Sequence, residues 1–157
     1  MAREIKLTQE GYDRLAGTLE MEKQSLEEAT RILQEQMESS DDYDDTGLED
    51  AKREKARIQA RIDSLEDTLA RAVIIEAGEG DVIQLGSYVI LQEVGGDDRE
   101  IQVVNPAEAS VLEAEVPKIS DESPVGRRLI GRKEGETITI TAAAGKVEYR
   151  ILAINHR

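Results

Sequence analysis

Glu38-Ser-Ser-Asp-Asp-Tyr-Asp-Asp-Thr-Gly-Leu-Glu-Asp50 holds seven of the chain's 34 acidic residues and no lysine or arginine. Four of them, Asp41, Asp42, Asp44 and Asp45, fall within five positions. Mutual repulsion among carboxylates so close opposes compaction, so a folded chain keeps such a cluster where water, a cation or a partner relieves the charge. The flanks are not disordered, because both carry long apolar periodicity. Ahead of the cluster Tyr12, Leu15, Leu19, Glu22, Leu26, Ala29, Leu33 and Gln36 step by three and four, the seam of a coiled coil with two polar breaks. Behind it Ala51, Lys55, Ile58, Ile62, Leu65, Leu69 and Ala72 keep the same rhythm. If the two runs fold back on each other antiparallel, facing residue numbers keep a nearly constant sum of 87 or 88, as for Leu19 with Leu69 or Ala29 with Ile58. Half of that sum falls between Tyr43 and Asp44. Periodicity alone therefore predicts an antiparallel helical hairpin with the acidic cluster, residues 38–50, at its tip.

The ends of both runs carry helix signals. Thr8 can cap a helix starting at Gln9, with Glu10 in the first turn, and Thr46-Gly-Leu-Glu49 has capping-box spacing. An arm of about 30 residues reaches about 45 Å at the helical rise, a length suited to probing a deep recess. Lys52, Arg53, Lys55, Arg57 and Arg61 follow on the second helix. Ordinary pairing with Glu27, Glu28, Glu35 and Glu54 accounts for such a run, and a basic shaft lying against phosphates or an acidic wall is the functional alternative.

Near Glu76-Ala-Gly-Glu-Gly80 the helical period stops, which divides the 157 residues into a hairpin domain, 1–76, and a second domain, 77–157. In the second domain the pattern is β. Ser87 to Val94 and Arg99 to Val104 flank the turn Gly95-Gly96-Asp97-Asp98, Thr137 to Thr141 alternates strictly, and Lys146 to Ile154 returns after Ala144-Gly145. One short helix interrupts the strands, with Ser123 as N-cap, Pro124 at its first position, Leu129 and Ile130 as its apolar face and Gly131 at its end. A small α+β domain results, a curved antiparallel sheet with one helix packed on it.

Composition narrows the function. The net charge of −14 comes from 19 acidic against 11 basic residues over 1–75 and 15 against 9 over 76–157, so both halves are acidic and free DNA is not an expected ligand. There is no Cys, and no run is apolar enough for export or for a membrane span, so a cytoplasmic location is expected. His156, the only histidine, lies one residue from the C-terminus, so a Ser-His-Asp site would have to use that near-terminal residue, and no phosphate-cradling glycine loop occurs. Asp42, Asp44, Thr46 and Gly47 match positions 1, 3, 5 and 6 of an EF-hand loop, but the closing position 12 is Arg53. Clustered Asp oxygens without a closing ligand suggest an open site for a hard cation, Mg²⁺ or Mn²⁺, that has other ligands elsewhere.

Several stretches resemble the bacterial Gre transcript-cleavage factors and their inhibitory homologues, which bind RNA polymerase. They are Leu7-Thr-Gln-Glu-Gly-Tyr12 with Leu15, Ala51-Lys52, Arg61-Ile62 with Leu65-Glu66, and Ile119-Ser-Asp-Glu-Ser-Pro-Val-Gly126 with Leu129-Ile-Gly131. The resemblance covers essentially the whole chain. It implies that the N-terminal coiled-coil hairpin enters the secondary channel of the polymerase, with Lys52, Arg53 and Lys55 facing the channel, while a C-terminal FKBP-like domain grips a coiled coil at its rim. Glu122, Ser123 and Pro124 become the candidates for that grip, with helix capping as the alternative role of this trio.

The tip departs from the cleavage factors. Their usual Gly-Asp-Leu-Ser-Glu-Asn falls on Ser40-Asp-Asp-Tyr-Asp-Asp45, so the two metal-handling acids become Asp41 and Asp44, while Asp42 and Asp45 are additional. A cleavage factor must hold a second metal and its water accurately, and four acids can bind that metal too firmly or in the wrong geometry. The tip looks like that of the inhibitory homologues. The resemblance thus implies a monomeric polymerase regulator, not itself an enzyme, sharing Mg²⁺ or Mn²⁺ with the polymerase active site and binding none tightly alone. A true cleavage factor and a coiled-coil adaptor without a metal role are the alternatives.

Overall fold

The computed structural model describes residues 3–39, 46–76, 78, 80–109 and 115–156. In chain order these form β1 (Ile5–Leu7), α1 (Gln9–Ser39), α2 (Thr46–Ala70), β2 (Ala72–Ile74), β3 (Tyr88–Glu93), β4 (Asp98–Val104), α3 (Pro106–Ala109), β5 (Lys118–Ser120), α4 (Pro124–Leu129), β6 (Thr137–Ala142) and β7 (Gly145–Asn155). They fall into two compact units, Tyr12–Arg71 and the combination of Arg3–Gly11 with Ala72–Arg157.

The helical unit follows its seam. Between Gly17 and Ser39 every residue is exposed except Leu19, Glu22, Leu26, Ala29, Leu33 and Gln36, the positions the three-four rhythm selects. On α2 the same holds from Glu49 to Asp67, where Ala51, Lys55, Ile58, Ile62 and Leu65 alone are sheltered. Ala29, Ile58 and Ile62 are buried together with Leu19 and Leu26 packed against them, so apolar burial along one stripe holds the two helices side by side. Contacts run in opposite order along them. Glu22, early in α1, pairs with Arg61 at 3.2 Å, and Gln36, late in α1, lies over Gly47. These flanking polar pairs are one helical turn away from the seam partners Leu65 and Ala51 that the constant sum assigns.

The sheet unit has strand order β5-β4-β3-β7-β6, antiparallel except for the parallel β4/β5 edge. Its core is Ile83, Val89, Leu91, Ile101, Val103, Leu129, Ile138 and Ile151, with Leu129 of α4 fully buried against the strands. Alternation predicts this face well, because Val89 and Leu91, or Ile101 and Val103, stand two apart on one side of a strand. Between Ile90/Ala153 and Leu91/Ile151 the β3/β7 register slips by one residue, which leaves Leu152 as the extra residue of a bulge and bends β7.

Several features differ from the expectation, among them α3 as a second short helix and the parallel β4/β5 edge in a sheet expected to be antiparallel. Another is β1, which pairs in parallel with β2, Ile5 to Ala72 through Leu7 to Ile74, and Arg3–Gly11 belongs to the compact unit of the sheet. The helical seam accordingly stops at Ala70, and Ala72 is already a strand residue. Ile130 also differs, since it is 40% exposed and the apolar face of α4 is supplied by Leu129 with Val125.

Candidate functional site

The loop from β5 into α4 is held by its own hydrogen bonds. Ser123 adopts an extended N-cap conformation, and its hydroxyl accepts from Gly126 N at 3.0 Å while donating to Ser120 O at 2.6 Å. Ser123 N also donates to Ser120 O at 3.0 Å, Glu122 N to Ser120 Oγ at 3.0 Å and Asp121 N to Val104 O at 2.9 Å. Gly126 is required here, because a Cβ would overlap Ser120 O and lie 2.9 Å from Asp121 Cα. Of the three residues expected to grip a partner, Ser123 uses its hydroxyl within the cap, whereas Glu122 and Pro124 are exposed.

The loop's neighbours form a hollow of mixed polar and apolar lining. Ile119 and Val125, on either side of Ser120–Pro124, line a depression of about 540 Å³ together with Leu91, Ile101, Tyr149, Glu93, Asp97, Asp98 and Arg99. Within the loop, burial first and the Glu122 charge second push the Asp121 carboxyl above the ordinary aspartate range. Sequence reasoning missed Asp121, since nothing in Asp121-Glu-Ser-Pro124 distinguishes a sheltered acid from an exposed one.

The other site residues sit on the helical unit. Lys52 and Arg53 are exposed near the start of α2, and Lys55 is half-buried in the seam. Lys52 lies 3.8 Å from Glu49, and Arg57 pairs with Glu54, the partner expected among the alternatives. Glu28 and Glu35 instead serve Arg31 on their own helix. Asp41, Asp42, Asp44 and Asp45 lie outside the described residues, and among the described residues no group of three or more acidic or His side chains suits a metal ion.

A second polar network was not legible in the sequence. Glu108 is 1% exposed, and its carboxylate accepts from Thr8 N and, at 2.9 Å, from Thr8 Oγ1, the group that caps Gly11 N at 3.0 Å. The equally buried Lys118 ammonium donates to Gln102 Oε1 and stands 3.9 Å from Glu108 Oε2. His156 has a structural place too. Ser87 Oγ accepts from Gln84 N at 2.9 Å and gives its proton to His156 Nδ1 at 3.0 Å, which leaves Nε2–H to donate to Gly80 O at 3.2 Å.

Two family models match nearly end to end. Residues 5–74 match the N-terminal transcription elongation factor model and residues 78–156 the C-terminal GreA/GreB model. The chain belongs to the GreA/GreB transcription elongation factor family. Among its GreA/GreB relatives, the transcription inhibitor protein Gfh1 of Thermus aquaticus is 59% identical over 100% of both chains. The transcription elongation factor GreA of Thermosipho africanus is 40% identical over 96% of both. A solved structure of Gfh1 from Thermus thermophilus is 57% identical, covers 98% of this chain and 99% of its own, and has a TM-score of 0.48. Among the described residues of this GreA/GreB member no helix is long and apolar enough to cross a membrane.

Proposed function

We propose that this chain is a transcription inhibitor that acts on bacterial RNA polymerase and is itself no enzyme. The observation that carries this reading is full-length identity of 59% to a transcription inhibitor against 40% to an elongation factor of the same family. The Asp-Asp-Tyr-Asp-Asp45 sequence supports it independently, because four acids replace the pair that handles metal in cleavage factors.

In this reading α1 and α2 form an antiparallel coiled coil that enters the secondary channel. Their single sheltered stripe supports that description, as does the opposite order of the Glu22–Arg61 and Gln36–Gly47 contacts. Lys52 and Arg53 face the channel wall, and Asp41, Asp42, Asp44 and Asp45 act on the active-site Mg²⁺ or Mn²⁺. The sheet unit is FKBP-like and docks at the rim through Glu122 and Pro124, with Ser123 holding the loop that presents them. The chain works as a monomer in the cytoplasm, without free DNA or a membrane as partner.

One assay tests the reading. Purified polymerase with a stalled transcript is scored for elongation and for transcript cleavage in the presence of the chain. Loss of elongation without added cleavage is the expected result. Added cleavage assigns the chain to the stimulating factors, and absence of both effects reduces it to an adaptor.

A further inference from the structure

The two edges of the five-stranded sheet are unlike. β5 closes one side with three residues, Lys118–Ser120. β6 closes the other with six, Thr137-Ile-Thr-Ile-Thr-Ala142, none of them charged and none proline. Natural sheet edges are commonly blunted by shortness, charge or proline, because an open edge invites another strand. β5 follows that rule and β6 does not.

The register shows which groups of β6 are open. Ile151 N donates to Glu136 O at 2.9 Å, whereas Glu148 O, on the other side of β7, accepts from Val94 N at 3.1 Å just past β3. With Ile138 opposite Tyr149 and Thr139 opposite Glu148, the alternation turns the backbone groups of Ile138 and Ile140 toward β7. Those of Thr137, Thr139 and Thr141 point outward. All three threonines are exposed, and among the described residues no strand pairs with that side.

The sequence of this edge reads the same in both directions. Thr137-Ile-Thr-Ile-Thr141 is symmetric about Thr139, so a second copy running antiparallel sets Thr139 against its own equivalent and Thr137 against Thr141 of the second copy. In that register the outward residues meet each other, and each pair exchanges both of its backbone hydrogen bonds. Threonine faces threonine on one side of the joined sheet. On the core side Ile138 faces Ile140 of the second copy, and Ile140 is only partly buried in the single chain. A parallel or shifted strand loses part of this match. We propose that two copies of the free chain join through β6 in this antiparallel register, continuing one sheet across a two-fold axis. A strand pair without a large apolar area makes a weak and reversible dimer, with a dissociation constant on the order of 100 μM. The inference goes beyond the polymerase reading, since the single chain remains the form that acts there and the pair is a form of the chain away from it.

Sedimentation equilibrium of the full chain from about 10 μM to 1 mM reads the pairing. The average mass should rise from that of one chain toward that of two, and a single-chain mass throughout overturns the proposal. Hydrogen exchange followed by NMR over the same range locates it. The amides of Thr137, Thr139 and Thr141 should slow with concentration, while those of Ile138 and Ile140, already turned to β7, should not. Self-association without this alternation overturns the proposal. Two double variants at the exposed positions then read the register. Thr137→Lys with Thr141→Lys sets like charges opposite each other, and Thr137→Lys with Thr141→Glu sets opposite charges there, so the second should pair about tenfold more tightly than the first. Equal affinity of the two overturns the proposal, and if either variant melts early the exchange pattern of the wild-type chain decides. Weakened polymerase binding in both variants with unchanged self-association assigns the edge to the polymerase and overturns it as well.

Discussion

Glu108 and Thr8, a hundred residues apart, share a bidentate contact in which one carboxylate accepts both the backbone N–H and the hydroxyl of the helix-capping residue. The cap of α1 is therefore itself anchored from α3. Removing the carboxylate by Glu108→Ala leaves Lys118 buried at 3% exposure without its counter-charge and Thr8 without its acceptor. Breaking one side of a buried pair in this way should cost about 3 kcal/mol. Hydrogen exchange of the β4 amides in the full chain reads that loss, and unchanged protection would show that Lys118 and Thr8 find other partners.

Gly11 makes a sharper test of the same packing. Its Cβ position is filled by the Glu108 carboxyl, so a methyl group there must displace a group held by Thr8 and faced by Lys118. Gly→Ala inside a helix ordinarily gains about 1 kcal/mol. Overpacking a fixed neighbour costs about 1 to 3 kcal/mol, and the clash wins. Gly11→Ala should therefore destabilise the chain, whereas Gly17→Ala, with nothing within reach of its Cβ, should stabilise it. Thermal melting of the two variants side by side checks the opposite signs.

That contrast shows where the sequence is legible. The seam of α1 and α2 repeats over many turns, so local periodicity alone identifies each sheltered position, and strict alternation does the same for β6 and the core face of β3. β1, β2 and β5 span three residues each, too short to carry a period, and exist because of pairings such as Ile5 with Ala72 that no window contains. Ala72 fits the helical rhythm as the next seam residue, and tertiary pairing overrides it. Glu108 reads as a solvated acid in a short helical turn, and its burial follows only from Thr8 and Lys118. Gly11, set in the first turn of an otherwise strong helix, was the available signal of a close approach. The tip acids were legible as a charged cluster, but their geometry lies outside the described residues.

The β5–α4 loop separates fold from docking. Ser123→Ala should cost about 1 kcal/mol through loss of the cap. Gly126→Ala should cost about 3 kcal/mol, because the obstructing atom is the backbone oxygen of Ser120. Pro124→Ala with Glu122→Arg touches exposed groups only, so it should leave the melting temperature near wild type while weakening polymerase binding strongly. A steep fall in melting temperature for the double variant would make these two residues structural.

Asp121 gives a pH signature in the free chain. Burial, and then Glu122, raise its folded value above the 3.8 of an unperturbed aspartate. Over the interval between the two values the folded chain holds the extra proton, so the stability it contributes is full below the unfolded value. That contribution is lost as pH rises through the folded one. The stability of wild type relative to Asp121→Asn should therefore decline as pH rises from about 3.5 toward neutrality and then level off. Denaturant unfolding of both proteins at matched pH checks this, and a difference that grows with pH would contradict the sheltered state of the carboxyl.

Asp44→Ala and Asp45→Ala divide the work of the tip from that of the sheet unit. If the tip acts on the polymerase metal while Glu122 and Pro124 supply docking, the two substitutions should leave binding nearly intact. Inhibition should fall about tenfold or more, since metal chemistry tolerates little misplacement of its ligands. Competition binding and elongation are measured on the same variants at fixed free Mg²⁺. Equal loss in both means that the tip merely anchors the chain. Full inhibition by both variants removes those two acids from the mechanism and leaves obstruction by the helices as its cause.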